Sequence, residues 1–237
     1  MRLITGADPA AAARLAAEEI ARACRAAVTA RGHAVVAVSG GETPWLMLRD
    51  LRVMDLPWTS IHVAQVDERC APRGDAQRNL TRLEEILVRE GPLPATNLWP
   101  MPVEATDRSA AASDYQTALE KRFGRPLRFD LVQLGLGTDG HTASLVPGDP
   151  VLDVTDRDVA ITASYQGLPR MTLTYPVLAR ARERLWLATG AAKAARLAEL
   201  MDGIADAPAI RVAREHTTVI ADSASAPSPA ISGRGLG

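Results

Sequence analysis

The run Leu131-Val132-Gln133-Leu134-Gly135-Leu136 breaks off into glycine: Gly135, Gly137 and Gly140 punctuate it, with Asp139 and His141 set among them. A run this short and apolar, bounded by glycine, reads as a strand buried on both faces. Glycines at its end let the backbone turn sharply and approach a ligand closely. An acid and an imidazole two positions apart at a strand end suit a general base and the group that orients it.

The same glycines spell G-x-G-x-x-G, the dinucleotide fingerprint. That site needs a long helix opening at the third glycine, its N-terminus facing a pyrophosphate. Here Pro147, Gly148 and Pro150 leave room for barely two turns, and Asp139 would place negative charge inside the phosphate cradle. The dinucleotide reading is set aside.

Around this stretch, strands are expected at residues 34–38, 61–66, 97–101, 130–136, 159–164, 171–175, 185–189 and within 217–221. Helices are expected from Pro9 to about Ala30 behind an Asp8 cap, with Leu15, Ile20, Cys24 and Val28 inward. Others are expected over 45–51 behind a Thr43 cap and Pro44, and over 79–89, 106–122 and 191–201, with a short one from Pro176. Strands alternating with helices predict an α/β fold: a doubly wound, mostly parallel sheet flanked by helices on both faces, Rossmann-like, in one domain over residues 1–225. From 226 to 237 Ser, Pro, Ala and Gly dominate, and a flexible tail is expected.

Bulk properties narrow the function. With 237 residues, 47% of them hydrophobic, the chain can bury a sizeable core, and no apolar stretch is long enough to span a bilayer. A net charge of −1 gives no general reason to bind nucleic acid or an anionic membrane. Residues 1–32 lack the order of a signal peptide, and Cys24 and Cys70 are lone thiols without disulfide or zinc-knuckle spacing. A cytoplasmic protein is expected.

Ligands of open α/β sheets sit beyond the carboxyl ends of the strands. Three predicted strand ends carry glycine before a helix start, at residues 39–44, 135–141 and 190–193, and a fourth ends in Asp67-Glu68-Arg69. Ser39-Gly40-Gly41 and Thr43 ahead of a helix offer backbone N–H groups and a positive dipole end to an anion such as phosphate. The lysine of a P-loop is missing there. Only two lysines occur among the 27 basic residues, Lys121 and Lys193, and Lys193 stands in the first turn of a helix. Arg69, Arg78 and Arg170 are further anion candidates. Of the four histidines, only His141 lies in a glycine loop beside an acid; the others have no metal-ligand spacing.

In order along the chain, Val38–Pro44 (VSGGETP), the Asp67-Glu68-Arg69 to Asn79 block, Leu134–Gly148 (LGLGTDGHTASLVPG), Arg170–Leu178 (RMTLTYPVL) and Thr189–Lys193 (TGAAK) resemble the 6-phosphogluconolactonase family. Glu42, Asp75 and Arg78 depart from residues often found there. The resemblance implies the fold shared with glucosamine-6-phosphate deaminases. It also implies hydrolysis of 6-phospho-D-glucono-1,5-lactone to 6-phospho-D-gluconate, with neither metal nor organic cofactor. It assigns His141 as base and Asp139 as its orienter. Ser39, Gly40, Gly41, Thr43, Gly137, Arg170 and Lys193 would hold the substrate, with Arg69 and Arg78 on the sugar side and Asp67 at hydroxyls. The only partner implied is the small phosphorylated lactone, the chain being a monomer or weak homo-oligomer. Alternatives are a deaminase, which usually follows the D-G-H loop with different residues, and a sugar-phosphate sensor without chemistry.

Overall fold

In the computed structural model, which describes residues 1–204 and 206–227, the apolar run forms β6 (Leu131–Gly135) at the centre of a seven-stranded sheet. The other members are β1 (Arg2–Gly6), β2 (Ala34–Val38), β3 (Ile61–Gln65), β5 (Leu98–Trp99), β9 (Glu183–Ala188) and β10 (Thr217–Asp222). All neighbours pair parallel, in the order β1-β10-β9-β6-β2-β3-β5. From β2 the chain winds outward to β3 and β5; from β6 it winds the other way to β9 and β10. The order therefore reverses between β2 and β6, and a crevice opens beyond their carboxyl ends.

Alternation along each strand decides what packs on which face. Ala34, Val36, Val38, Leu131, Leu185 and Ile220 point to one side, against α1 (Pro9–Arg31), α2 (Glu42–Arg52) and α3 (Asn79–Leu83) with its wider π-type continuation to Arg89. Val35, Ala37, Val132, Leu134, Trp186 and Val219 point to the other. They meet α4 (Arg108–Phe123), α5 (Tyr175–Arg180) and α6 (Ala194–Asp202). Asp8 caps α1 as expected, accepting from Ala11 N at 2.8 Å. The inward face of α1 is built chiefly from alanines, among them Ala12, Ala13, Ala16 and Ala17, around Ile20 and Cys24, which lets the helix lie close to the sheet; Leu15 and Val28 only flank it.

Three expectations need correction. The segments around 159–164 and 171–175 form strands of a separate antiparallel sheet: β7 (Val159–Ile161), β8 (Arg170–Leu173) and β4 (Asp67–Arg69), ordered β4-β8-β7. Val66 links the two sheets, donating from N to Val38 O and accepting at O from Leu173 N. Second, α2 starts at Glu42 with Gly41 as its cap residue, so Thr43 lies in the first turn and caps nothing. Third, β1 was not anticipated: as an exposed edge strand it shows little of the alternation a half-buried strand carries. The tail expected from 226 falls mostly outside the described residues. Among the described residues no helix is long and apolar enough to cross a membrane.

A buried imidazole yields one testable property of the fold. His62 on β3 is 6% exposed, packed edge-on to Trp99 and Phe123, with Trp99 Nε1 3.3 Å from its Nδ1 and Arg122 Nη2 3.2 Å from its Nε2. Burial first, then the charges of Arg122 and His33, push it down to about 4. The unfolded chain, with an imidazole near ~6.5, binds this proton more readily, so the contribution is present above about pH 6.5 and lost as pH falls toward 4. Allowing for screening at exposed Arg122, acidification from pH 7.5 to 4.5 should cost about 1–2 kcal/mol of unfolding free energy through this group. His62→Gln should flatten that portion of the urea-unfolding profile; an unchanged slope would assign the acid sensitivity elsewhere.

Candidate active site

The strand ends singled out from sequence converge. A cavity of about 310 Å³ beyond β2 and β6 is lined by Ser39, Gly40, Asp67, Arg69, Asn79, Gly135, Leu136, Gly137, Thr138, His141, Ala143, Arg170 and Lys193. A second hollow of about 290 Å³ shares Gly40, Gly135 and Lys193 with it. Gly41, Glu42, Thr43, Pro44, Leu187 and Thr189 complete that hollow.

Asp139 and His141 form a pair inside the glycine loop. His141 Nδ1 lies 2.5 Å from Asp139 Oδ1, which also accepts from His141 N at 3.1 Å. A carboxylate only accepts, so Nδ1 carries a proton, and in the neutral ring the lone pair is on Nε2. Burial raises the Asp139 carboxyl, but the hydrogen bonds and charge of His141 and the Tyr165 hydroxyl outweigh it and hold the group below its ordinary value. The loop backbone is closed by Gly137 N to His141 O (2.8 Å) and Gly140 N to Gly137 O (3.0 Å). A side chain at Gly137 would put its Cβ 2.2 Å from His141 Nδ1 and 2.6 Å from Asp139 Oδ1. Only glycine allows the pair to fold back over that position.

The Asp67-Glu68-Arg69 triplet divides by strand alternation. Asp67 and Arg69 reach the cavity; Glu68, fully buried, turns inward. Ser144 Oγ donates to Asp67 Oδ2 at 2.6 Å, and Asn79 Nδ2 donates to Asp67 O at 3.0 Å. A Cβ at Gly40 would fall 2.0 Å from Asn79 Oδ1, so the first glycine loop and the α3 start fit together only without one. Arg78 is not on the cavity wall, contrary to expectation. It is 1% exposed, with Nε 3.0 Å from Glu68 Oε2 and Nη1 donating to Ala71 O and Glu104 Oε1, each at 2.8 Å. The position before Asn79 faces the interior because buried Glu68 there needs a cation.

The positive side of the cavity is made by Arg69, Arg170 and Lys193. Arg69 Nη1 donates to Gln77 O at 2.7 Å, Arg170 Nη2 donates to Gln166 Oε1 at 3.1 Å, and the Nε atoms of both are buried without partners. Burial lowers the Arg170 guanidinium from its ordinary value, with Asp67 opposing. Lys193 is likewise pushed down by burial, while the Asp222 and Glu42 carboxylates favour its charge. Among the described residues Lys193 makes no ion pair. The turn ahead of it is fastened by Asp222, whose carboxylate accepts from Gly190 N at 3.0 and 3.1 Å. Unpartnered buried donors beside a half-buried lysine suit an anionic ligand.

The N-terminus of α2 supplies N–H groups without intrahelical partners, and Gly41 offers no side-chain cap. Ser39 is anchored to β6, donating from N to Gln133 Oε1 (2.9 Å) and from Oγ to Gln133 O (3.0 Å). The Thr43 and Thr189 hydroxyls meet at 2.6 Å and tie this turn to the Lys193 loop. Among the described residues no three His, Cys, Asp or Glu side chains gather to hold a metal ion.

Sequence reading missed Tyr165 and Gln166, and took Asn79 and Thr189 only as the ends of blocks. Tyr165 and Gln166 sit in a loop without periodicity, so only three-dimensional contact reveals them.

A parallel α/β sheet with an imidazole–carboxylate pair and a cluster of cations at its switch point defines a protein that handles small anionic molecules. The family described as glucosamine-6-phosphate isomerases/6-phosphogluconolactonase matches residues 7–221. The chain is 38% identical over 186 residues to a 6-phosphogluconolactonase of Synechocystis sp., covering 76% of each. It is 36% identical over 177 residues to one of Rhizobium meliloti, covering 72% of this chain and 75% of that one. The crystal structure of 6-phosphogluconolactonase from Thermotoga maritima superposes with a TM-score of 0.80 at 26% identity, covering 93% of this chain and 97% of that one. This chain belongs to the glucosamine-6-phosphate isomerase/6-phosphogluconolactonase family.

Proposed function

We propose that this chain hydrolyses 6-phospho-D-glucono-1,5-lactone to 6-phospho-D-gluconate, the second step of the oxidative pentose phosphate pathway, in the cytoplasm. The observation that supports the reading is that His141, bonded to Asp139, lines the same cavity as Arg69, Arg170 and Lys193. A base beside cations is what a phosphorylated ester needs; a sensor has no use for the base.

In this reading His141 Nε2 takes a proton from water as the water oxygen attacks the lactone carbonyl. The proton then goes to the ring oxygen when the C–O bond breaks, leaving a hydroxyl and a carboxylic acid, which gives up the water's second proton to solvent and becomes a carboxylate. Asp139 holds the imidazole in the tautomer with Nε2 free and stabilises it when charged. Ser39, Gly40, Gly41, Thr43, Arg170 and Lys193 hold the phosphate, Gly137 borders the reacting carbon, and Arg69 and Asp67 face the sugar. Arg78 supports the wall from behind.

Freshly made lactone should release acid well above its spontaneous rate when the protein is added. Glucosamine 6-phosphate should release no ammonia, and the reverse outcome would make the chain a deaminase. Binding of the lactone without acid release would make it a sensor. Arg170→Ala and Lys193→Ala should each raise KM about tenfold or more, with kcat less affected, because a phosphate remote from the reacting carbon is held alike in ground and transition states. An unchanged KM in both variants would put the phosphate elsewhere.

A further inference from the structure

The hairpin joining β7 to β8 brings a side chain to the cavity that neither the motifs nor the proposed roles include. Tyr165 and Leu168 close it as an antiparallel bridge, with Tyr165 N donating to Leu168 O at 3.0 Å. Gln166 (φ 54°) and Gly167 (φ 87°) make the turn. Two consecutive positive φ values belong to the two-residue turn whose twist matches that of paired strands. The side chain before the turn is thus aimed by backbone pairing.

Tyr165 meets the site in three directions. Its hydroxyl donates to Asp139 Oδ2 at 3.2 Å, on the carboxylate oxygen that His141 leaves free. Its ring stands edge-on to the His141 ring, centroids 5.7 Å apart at 62°. Its face lies under the Arg170 guanidinium, whose central carbon is 4.9 Å from the ring centroid. The neighbouring Gln166 Oε1 accepts from Arg170 Nη2 at 3.1 Å.

Each contact restrains a group that is otherwise loosely held. The Asp139 side chain is 38% exposed and that of His141 26%, and the bonds from His141 Nδ1 and His141 N both fall on Oδ1, which leaves Oδ2 free to swing and the imidazole to follow. The Tyr165 hydroxyl bonded at Oδ2 opposes that movement. Arg170 has a buried Nε with no partner, so the plane of its guanidinium is set by the Tyr165 face and the Gln166 amide. A water molecule could satisfy Oδ2, but it would fix neither the ring nor the guanidinium.

We propose that Tyr165 is a positioning residue for lactone hydrolysis, orienting the Asp139–His141 pair through its hydroxyl and the Arg170 guanidinium through its ring. This rests on the lactonase reading above. Two substitutions in the full chain separate the two handles. Tyr165→Phe keeps the ring and loses only the bond to Asp139, so kcat should fall roughly 3- to 10-fold with KM within about twofold of the parent. Tyr165→Ala should show at least that loss in kcat and, in addition, a several-fold rise in KM as Arg170 loses its support. Because Tyr165→Phe differs by one oxygen, it carries the test even where the alanine variant folds poorly. Tyr165→Phe with both constants within twofold of the parent, or with its loss confined to KM, overturns the proposal while an inactive His141→Ala leaves the lactonase reading standing. Parent-like turnover by His141→Ala would overturn the reading itself.

Discussion

Replacing His141 by Ala should cut kcat by about 10²–10⁴-fold, the usual worth of a general base, while the protein still melts cooperatively near the parent temperature. The fold is expected to survive because the loop does not depend on the imidazole. Gly137 N to His141 O, Gly140 N to Gly137 O and Ala209 N to Gly140 O are backbone bonds, and Thr142 Oγ1 donates to Gly135 O at 2.9 Å. The ring itself touches Asp139 and Tyr165, and its removal opens the cavity rather than the core. Initial rates of acid release beside a thermal melt decide the matter. Turnover within about threefold of the parent would remove His141 from the chemistry; loss of the melting transition would mean the loop needs the ring after all.

Replacing Glu68 by Ala should cost about 3–5 kcal/mol of unfolding free energy, the largest stability effect expected of any side chain at the cavity's edge. Its Oε1 accepts from Arg69 N (2.8 Å) and Asn79 N (2.9 Å), and its Oε2 accepts from Gln65 Nε2 and Leu80 N, each at 2.8 Å. Arg78 Nε stands 3.0 Å away. Removing the carboxylate leaves the first N–H groups of α3 unsatisfied and a buried guanidinium with Glu104 as its one acidic partner. Glu68→Gln keeps the shape and one of the two acceptor oxygens, while its NH2 faces two of the four donors, so it should lose less than Glu68→Ala but still measurably. Urea unfolding checks both; a Glu68→Ala loss under 1 kcal/mol would show that Glu104 and solvent compensate. The same variant should be less active than its residual folded fraction explains, since Glu68 holds the backbone of Arg69 and Asn79 in place.

The central sheet and its winding were legible because buried parallel strands are written as short apolar runs between glycines, and Ala34–Val38 was found with its ends correct. The small antiparallel sheet was not legible. Asp67-Glu68-Arg69 contains no apolar residue, and its pairing partner Arg170–Leu173 lies a hundred residues away, so only tertiary packing reveals the strand. The same limit explains Arg78. A charged residue near a strand end is by default turned toward solvent or ligand, and nothing local announces a buried carboxylate one element earlier. His141, Asp139 and Lys193 were legible because glycine loops at strand ends leave few places for a polar side chain to point.

Asp222 has a temporal consequence. The strand that bears it is inserted between β1 and β9, so β1 cannot join its neighbour until β10 has emerged. A nascent polypeptide translated only as far as residue 215 would already hold every side chain that lines the two hollows, yet the clasp on Gly190 would still be missing. The turn that presents Lys193 is thus fastened only after β10 has taken its place in the sheet.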